Sequence, residues 1–178
     1  MGYILGLDCS SVGTGWCIVD KDTFELIDYG CFKVDSTKEH DIIKRILTMT
    51  QGVSEIIKKY EPIQIVEEDV APSIQNSMTV KGLATLKGTM LGLAYSNNIP
   101  IEFILPNVWQ SAMGILKSKG STKEQSVNIV NNKYETNFIY KSEGSKFNQD
   151  DTTDSINIVC YYLGNYENKK TFGRKIKK

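Results

Sequence analysis

The sequence contains a single histidine and four cysteines among 178 residues, and this scarcity argues against several kinds of site. Cys9, Cys17, Cys31 and Cys160 show no CxxC spacing, and three of them lie within or beside apolar runs, where reduced cysteine behaves as a small hydrophobic residue. A structural zinc site is therefore not expected. His40 lies in a polar stretch at a predicted helix start, and we interpret it as a surface residue rather than a catalytic base.

The sequence also lacks long apolar segments and a net charge. No window approaches the roughly 20 apolar residues of a membrane span, and the N-terminus does not have the pattern of a signal peptide. Basic and acidic residues number 21 each, so a nucleic-acid surface would have to come from local clusters. We expect a cytoplasmic protein without a membrane partner, with one domain over residues 1–166 and a disordered basic tail over residues 167–178.

The N-terminal stretch YILGLD, residues 3–8, ends an apolar run with a carboxylate. Such a run is typical of a strand buried on both faces, and an aspartate there is costly to desolvate unless a cation lies beside it. Asp8 is therefore a candidate site residue. The alternative is that Asp8 only caps the turn after the strand.

The order of predicted elements is typical of an α/β fold. Strands are predicted over residues 3–8, 15–20, 26–34, 63–66 and 100–105. Helices are predicted over residues 40–60, 78–96, 122–134 and 150–166, with a short helix that starts at Pro106. The first three strands are joined by short turns and predict an antiparallel meander, whereas a strand reached through a helix should lie parallel to an earlier one.

Two glutamates directly follow the predicted strand at residues 63–66. If that strand neighbours the first one in a parallel pair, Glu67 and Glu68 lie beside Asp8. Adjacent strand residues point to opposite faces, so only one of the two glutamates can face Asp8. The alternative is an acidic turn that is exposed to water.

Aspartates begin the last predicted helix. Asp151 and Asp154 lie on the same stripe as apolar residues of the later turns, so this stripe directs both acids toward the core. Aspartates in a first turn also satisfy free N–H groups and the helix dipole, and this explains Asp150 or Asp151 better than it explains Asp154.

A basic loop precedes the predicted helix at residues 122–134. It carries Lys117, Lys119 and Lys123, and Ser121 or Thr122 can cap the helix that follows. Clustered lysines suit phosphate oxygens. The alternative is an ordinary solvated loop.

Together these segments resemble the RuvC family of Holliday-junction resolvases in the ribonuclease H-like superfamily. The resemblance covers residues 3–163. It is carried by ILGLDCS at residues 4–10, GTGW at 13–16, IVE at 65–67, LPNVWQ at 105–110, KGSTKE at 119–124 and DTTDS at 151–155. The resemblance implies a five-stranded mixed sheet, with three antiparallel strands followed by parallel strands, flanked by helices.

The resemblance also implies a set of catalytic carboxylates. Carried over by motif position, the catalytic and metal-binding residues are Asp8, Glu67, Asp151 and Asp154, with Glu68 and Asp150 as alternates. Four converging acids need divalent cations, and oxygen ligands suit Mg²⁺, for which Mn²⁺ can substitute. Two ions about 4 Å apart per site would serve phosphodiester hydrolysis.

The implied enzyme is a crossover junction endodeoxyribonuclease that resolves four-way junctions and other branched DNA by paired nicks, leaving 5′-phosphate and 3′-hydroxyl ends. Paired nicks require two sites, so we expect a homodimer, formed through the helix at residues 78–96. The lysines Lys117, Lys119 and Lys123 would follow the DNA backbone. No nucleotide cofactor is expected.

The chain departs from the bacterial pattern in two places. Cys9 and Ser10 stand where proline and glycine are usual, and the loop at residues 69–77 lacks the aromatic residue that the bacterial enzymes place at the junction. We interpret the chain as a divergent, phage-type member, acting in the host cytoplasm. The alternatives are a branched-DNA-binding protein that does not cleave, and a nucleotide-binding protein of the actin-like and sugar-kinase superfamily, which normally requires a much longer chain.

Overall fold

Five strands form one mixed sheet in the computed structural model, which describes residues 2–70 and 77–164. The strands are β1 (Tyr3–Cys9), β2 (Gly13–Asp20), β3 (Leu26–Lys33), β4 (Gln64–Glu68) and β5 (Ile101–Ile104). The helices are α1 (Ile42–Tyr60), α2 (Ser77–Ser96), α3 (Pro106–Ala112), α4 (Thr122–Tyr134) and α5 (Asp150–Tyr162). The predicted fold class is confirmed. The predicted tail, the last residues of the predicted domain and most of the loop after β4 lie outside the described residues.

The strand order across the sheet is β3-β2-β1-β4-β5. The pairs β1–β2 and β2–β3 are antiparallel, and the pairs β1–β4 and β4–β5 are parallel. The apolar first strand therefore occupies the centre of the sheet, as its hydrophobic run predicts. Because β1 and β4 run in the same direction, their carboxyl ends lie side by side, and Leu7 of β1 pairs with Glu67 of β4.

The sheet separates two hydrophobic clusters. On one face, Leu5, Leu7 and Ile65 pack against α1 and α2. On the other face, Ile4 and Val66 pack against α5, with α3 and α4 beside it. Neighbouring residues of β1 and β4 thus enter opposite clusters, as the two-residue period of a strand requires.

The helix α1 begins two residues later than predicted. The side chain of Asp41 accepts a hydrogen bond from the Ile43 N–H, so Asp41 is the N-cap and His40 lies outside the helix, exposed as expected. At the other end Glu61 adopts a left-handed conformation before Pro62, which terminates the helix where the sequence predicts.

The strand β4 is longer than the apolar run predicts. It continues through Glu67 and Glu68, which pair with Phe103 and Ile104 of β5. Two acids therefore lie inside a ladder of backbone hydrogen bonds rather than in a turn after it. Their side chains must alternate between the two faces of the sheet.

The helix α5 lies very close to the sheet because glycines face it. A Cβ atom on Gly6 would lie 2.5 Å from the carbonyl oxygen of Ser155, and one on Gly15 would lie 2.0 Å from that of Asp151. Since Gly15 pairs with Asp8 across β1 and β2, this contact holds the first turn of α5 beside Asp8.

All four cysteines are free thiols. No helix among the described residues has both the length and the apolar character that a bilayer crossing needs.

Replacing Gly15 with alanine should destabilise the protein by more than the roughly 1–3 kcal/mol typical of an overpacked core, because the clashing atoms belong to the backbone of α5. Urea unfolding measures the change. The control is Val12→Ala in the turn before β2, since the Val12 side chain is exposed. An unchanged free energy of unfolding for the Gly15 variant would show that α5 does not pack this closely.

Candidate active site

Two carboxylates lie side by side at the carboxyl ends of β1 and β4. Asp8 follows Leu7 and Glu68 follows Glu67, so the Leu7–Glu67 pairing brings Asp8 and Glu68 together on the face covered by α5. The indole Nε1 of Trp109 donates a hydrogen bond of 2.8 Å to Glu68 Oε1. Trp109 is fully buried in the middle of α3, so one oxygen of Glu68 is held by a rigid donor.

The first turn of α5 brings two further carboxylates to the same place. Asp151 and Asp154 lie three residues apart, on one side of the helix. The buried hydroxyl of Ser126, in α4, donates a short hydrogen bond to Asp154 Oδ1. The amide Nδ2 of Asn157 donates to the same hydroxyl oxygen at 2.8 Å, so the Ser126 hydroxyl is oriented toward Asp154.

The electrostatics of the group identify it as one site. Burial raises the pKa of Asp8 well above its ordinary value, and the negative charges of Glu68, Asp154 and Asp151 raise it further. Burial likewise raises the pKa of Glu68, Asp151 and Asp154. Hydrogen bonds from Trp109 and Ser126 partly oppose the effect at Glu68 and Asp154. Because burial and mutual repulsion both disfavour the ionised form, a cation would stabilise this group strongly.

A lysine lies beside the carboxylates on the α4 side. Lys123 Nζ lies 2.5 Å from Oδ2 of the buried Asp150. Burial lowers the pKa of Lys123, but the ion pair with Asp150 and the charges of Asp151 and Asp154 raise it above its ordinary value. Asp150, the alternate to Asp151, thus holds Lys123 in its charged form beside the site.

Glu67 does not join the carboxylate group, and its motif-based assignment does not agree with the geometry. It lies on the α1–α2 face, where burial raises its pKa and the charge of Lys87 and a hydrogen bond from Cys9 partly oppose that rise. Glu67 is 2% exposed, and its Oε2 has no hydrogen-bond partner in the described part of the chain. The physical reason is that β4 continues through both glutamates, so Glu68 takes the face of Asp8.

The structure therefore brings together most, but not all, of the predicted residues. Asp8, Asp151, Asp154 and Lys123 form one group, in which the alternate Glu68 replaces Glu67. Lys117 and Lys119 lie apart, in an exposed 3₁₀ turn. Sequence reasoning missed Trp109 and Ser126, because a tryptophan and a serine in amphipathic helices look like ordinary helical residues until their partners are known.

The donor set fits a hard divalent cation. Its ligating atoms are all carboxylate oxygens, which Mg²⁺ and Mn²⁺ prefer. In residues 2–70 and 77–164 no three such side chains are close enough to hold an ion as they stand. Binding an ion would therefore require side-chain torsions to turn inward, and the charge of the ion would offset the repulsion between the carboxylates.

Comparison with known proteins identifies relatives over most of the chain. The family model described as "Crossover junction endodeoxyribonuclease RuvC" matches residues 4–141. A protein of that name from Fusobacterium nucleatum is 27% identical over 173 residues, which cover 96% of this chain and 85% of the relative. Another, from Citrifermentans bemidjiense, is 29% identical over 132 residues, covering 72% of this chain and 79% of the relative.

Solved structures share the same fold. Thermus thermophilus RuvC in complex with a Holliday junction substrate superposes with a TM-score of 0.68 at 13% identity, covering 89% of this chain and 90% of that one. The fowlpox virus resolvase, also solved with Holliday junction DNA, gives a TM-score of 0.58 at 18% identity, covering 92% and 97%. These likenesses support the ribonuclease H-like fold.

Glu67→Gln should remove part of the pH dependence of stability in metal-free protein. Burial raises the pKa of Glu67 to about 8, so the folded chain retains a proton that the unfolded chain releases above about pH 4.5. The contribution of Glu67 to the free energy of unfolding is fully present below about pH 4.5. It decreases as the pH rises toward 8, by up to about 1.4 kcal/mol per pH unit.

Urea unfolding in EDTA at about pH 5.5 and about pH 8.5 measures this effect. The variant should gain stability over the wild type at the higher pH and little at the lower one. If the free energies of unfolding of the two proteins changed equally between these pH values, Glu67 would not be a buried, protonated acid.

Proposed function

The chain belongs to the RuvC family of crossover junction endodeoxyribonucleases, which are metal-dependent hydrolases, and from this we propose that it resolves four-way DNA junctions. The observation that carries the proposal for this chain is the group formed by Asp8, Glu68, Asp151 and Asp154. Three separate elements supply these acids, and no folding requirement explains why they should meet. The repulsion between the acids destabilises the fold, and a metal-dependent function explains why the acids are nevertheless placed together.

Mg²⁺ is the proposed cofactor, bound by these four carboxylates, with Asp8 as the central ligand. When bound, the ions would activate water and stabilise the charge that develops on the phosphate and on the leaving 3′ oxygen. The chain's own residues orient the ligands. Trp109 holds one oxygen of Glu68, and Ser126 holds one oxygen of Asp154, which leaves the second oxygen of each carboxylate to turn toward the ion.

DNA binding is proposed for the basic side chains on the α4 side of the site. Lys123, held by Asp150, lies where a scissile phosphate would approach the carboxylates. Lys117 and Lys119 are exposed in the turn before α4 and would contact phosphates farther along the backbone. Hydrolysis without a covalent enzyme intermediate would leave 5′-phosphate and 3′-hydroxyl ends.

The adjacent glutamates of β4 provide a matched test of the site. Glu68→Gln should slow cleavage of a four-way junction in Mg²⁺ by at least about 100-fold, because it removes a ligand that helps to offset several kcal/mol of transition-state charge. Glu67→Gln makes the same chemical change on the opposite face and should keep most of the activity.

Quantified nicking of an end-labelled junction under single-turnover conditions gives both rates. Loss of activity in the Glu67 variant with activity retained in the Glu68 variant would reverse the assignment. Junction binding without metal-dependent cleavage by the wild type would instead favour the non-cleaving alternative.

Paired nicks require a homodimer, and the exposed side of α2 is the proposed interface. This side forms an apolar stripe of small and large residues, which are Ala84, Gly88, Leu91, Gly92 and Tyr95. Tyr95 is 85% exposed, and a Cβ atom added at Gly88 or Gly92 would meet no atom of the described residues within 4 Å. Glycines at a four-residue spacing would allow a second helix to approach closely.

Leu91→Asp should convert the protein to a monomer, because a charge would be buried in the centre of the stripe. Sedimentation velocity at micromolar concentration measures the assembly state. Ile139→Asp is the matched control, since Ile139 is also exposed but lies far from α2 in sequence, and it should leave the dimer intact. A wild-type protein that sediments as a monomer would refute the dimer proposal.

A further inference from the structure

A recess lies directly beside the carboxylate site. It is a cleft of about 280 Å³ between the edge strand β3, the segment at residues 138–149 and the first turn of α5. Asp151 forms part of its wall and also belongs to the carboxylate group. A group bound in the cleft would therefore lie directly beside a phosphate bound at the carboxylate site.

Alternate residues of β3 form one wall of this cleft. Tyr29, Cys31 and Lys33 are spaced two residues apart and pair with Cys17, Gly15 and Gly13. Gly15 faces α5, so all three β3 residues point to the α5 side of the sheet. Tyr29 is 42% exposed, and its ring lies edge-on to that of Phe138 at 4.9 Å. Tyr29 thus contributes a partly exposed aromatic ring to the cleft wall.

The opposite wall is held in place by Asn148. Its side chain is buried, with Nδ2 donating to the Ser142 carbonyl at 2.8 Å and Oδ1 accepting from the Lys141 N–H at 3.0 Å. These bonds tie the segment together on both sides of the amide. The cleft is therefore preformed rather than a gap between loose loops.

Lys33 places a positive charge where the cleft meets the site. Its Nζ donates to the Asn148 carbonyl at 3.3 Å, which occupies one of the three ammonium donors. Burial raises the pKa of Asp151, and the charges of Lys33 and Lys123 partly oppose that rise. Because Lys33 comes from β3 and Lys123 from α4, a phosphate at Asp151 would have an ammonium group on either side.

The size of the cleft limits the ligand. Its volume of about 280 Å³ is just below the roughly 300–1,000 Å³ that small-molecule sites span, so it can hold a group no larger than about one nucleotide. An aromatic ring for a base and an ammonium for a phosphate are the two elements of single-strand recognition. A branch point is where duplex stacking is interrupted and a base can leave the stack at low cost.

We propose that this cleft binds one unstacked nucleotide of the cut strand, with its base on Tyr29 and its phosphate on Lys33, next to the scissile phosphate. The inference rests on the proposed function, since it specifies how the junction strand enters the carboxylate site. It assigns Tyr29 and Lys33 as substrate-binding residues on the side of the site opposite α4.

A thermodynamic cycle between Tyr29 and the DNA base tests the proposal. Junctions would carry an abasic nucleotide at each position in turn on both sides of the cut, and binding would be measured in the Glu68→Gln background to prevent cleavage. At one position, loss of the base should weaken binding roughly 5- to 150-fold in the protein with Tyr29 and not in the Tyr29→Ala protein.

Matched variants separate the ring from its surroundings. Tyr29→Phe should keep the discrimination and Tyr29→Leu should lose it, while both keep a bulky side chain at the position. Phe147→Ala is the aromatic control, because its exposed ring does not line the cleft, and it should discriminate as the parent protein does. Lys33→Gln should weaken binding to intact and abasic junctions alike and reduce the salt slope by about one.

The outcomes test the nucleotide site separately from the proposed junction-resolving function. If the wild type cuts junctions in Mg²⁺ but no abasic position couples to Tyr29, the nucleotide site is wrong and the enzyme assignment stands. Discrimination lost in Phe147→Ala but retained in Tyr29→Ala would also overturn it. A wild type that neither binds nor cuts junctions would remove both proposals.

Discussion

The parallel pairing of β1 with β4 is the contact on which the candidate site depends. It places the carboxyl ends of two strands side by side, so Asp8 and Glu68 share an edge and a face of the sheet. The glycines of β1 and β2 then allow α5 to lie close enough to add Asp151 and Asp154. A larger residue at Gly15 would move the start of α5 and separate the acids. The site therefore depends on the close approach of the α5 backbone to β2.

This arrangement concentrates negative charge, and the surrounding residues limit its cost. Trp109 and Ser126 donate hydrogen bonds to Glu68 and Asp154 from buried positions on α3 and α4. Lys123 adds a positive charge and is itself held by Asp150. These contacts orient the acids without neutralising them, which leaves the group dependent on a cation. The helices of this face thus support the site as well as the core.

The two faces of the sheet use their buried polar groups differently. On the α5 face, Asp8, Glu68, Asp151 and Asp154 form one group, and the cleft of Tyr29 and Lys33 adjoins it at Asp151. On the α1–α2 face, Glu67 is buried near Cys9, Lys87 and Asp69, apart from the carboxylates of the site. One residue of register in β4 would exchange these roles, because every side chain would change face.

Much of this could be predicted from the sequence because the relevant signals are local. The apolar run before Asp8, the helical period after His40 and the acids that begin α5 determined the α/β class and most of the candidate acids. The choice between Glu67 and Glu68 could not be made, because it depends on how far β4 continues, and that is decided by its pairing with β1 and β5. The roles of Trp109, Ser126 and Lys33 were also decided only by the tertiary structure, since each acts through a partner distant in sequence. Local pattern determines which elements form and which residues are unusual within them, whereas the packing of those elements determines which unusual residues meet.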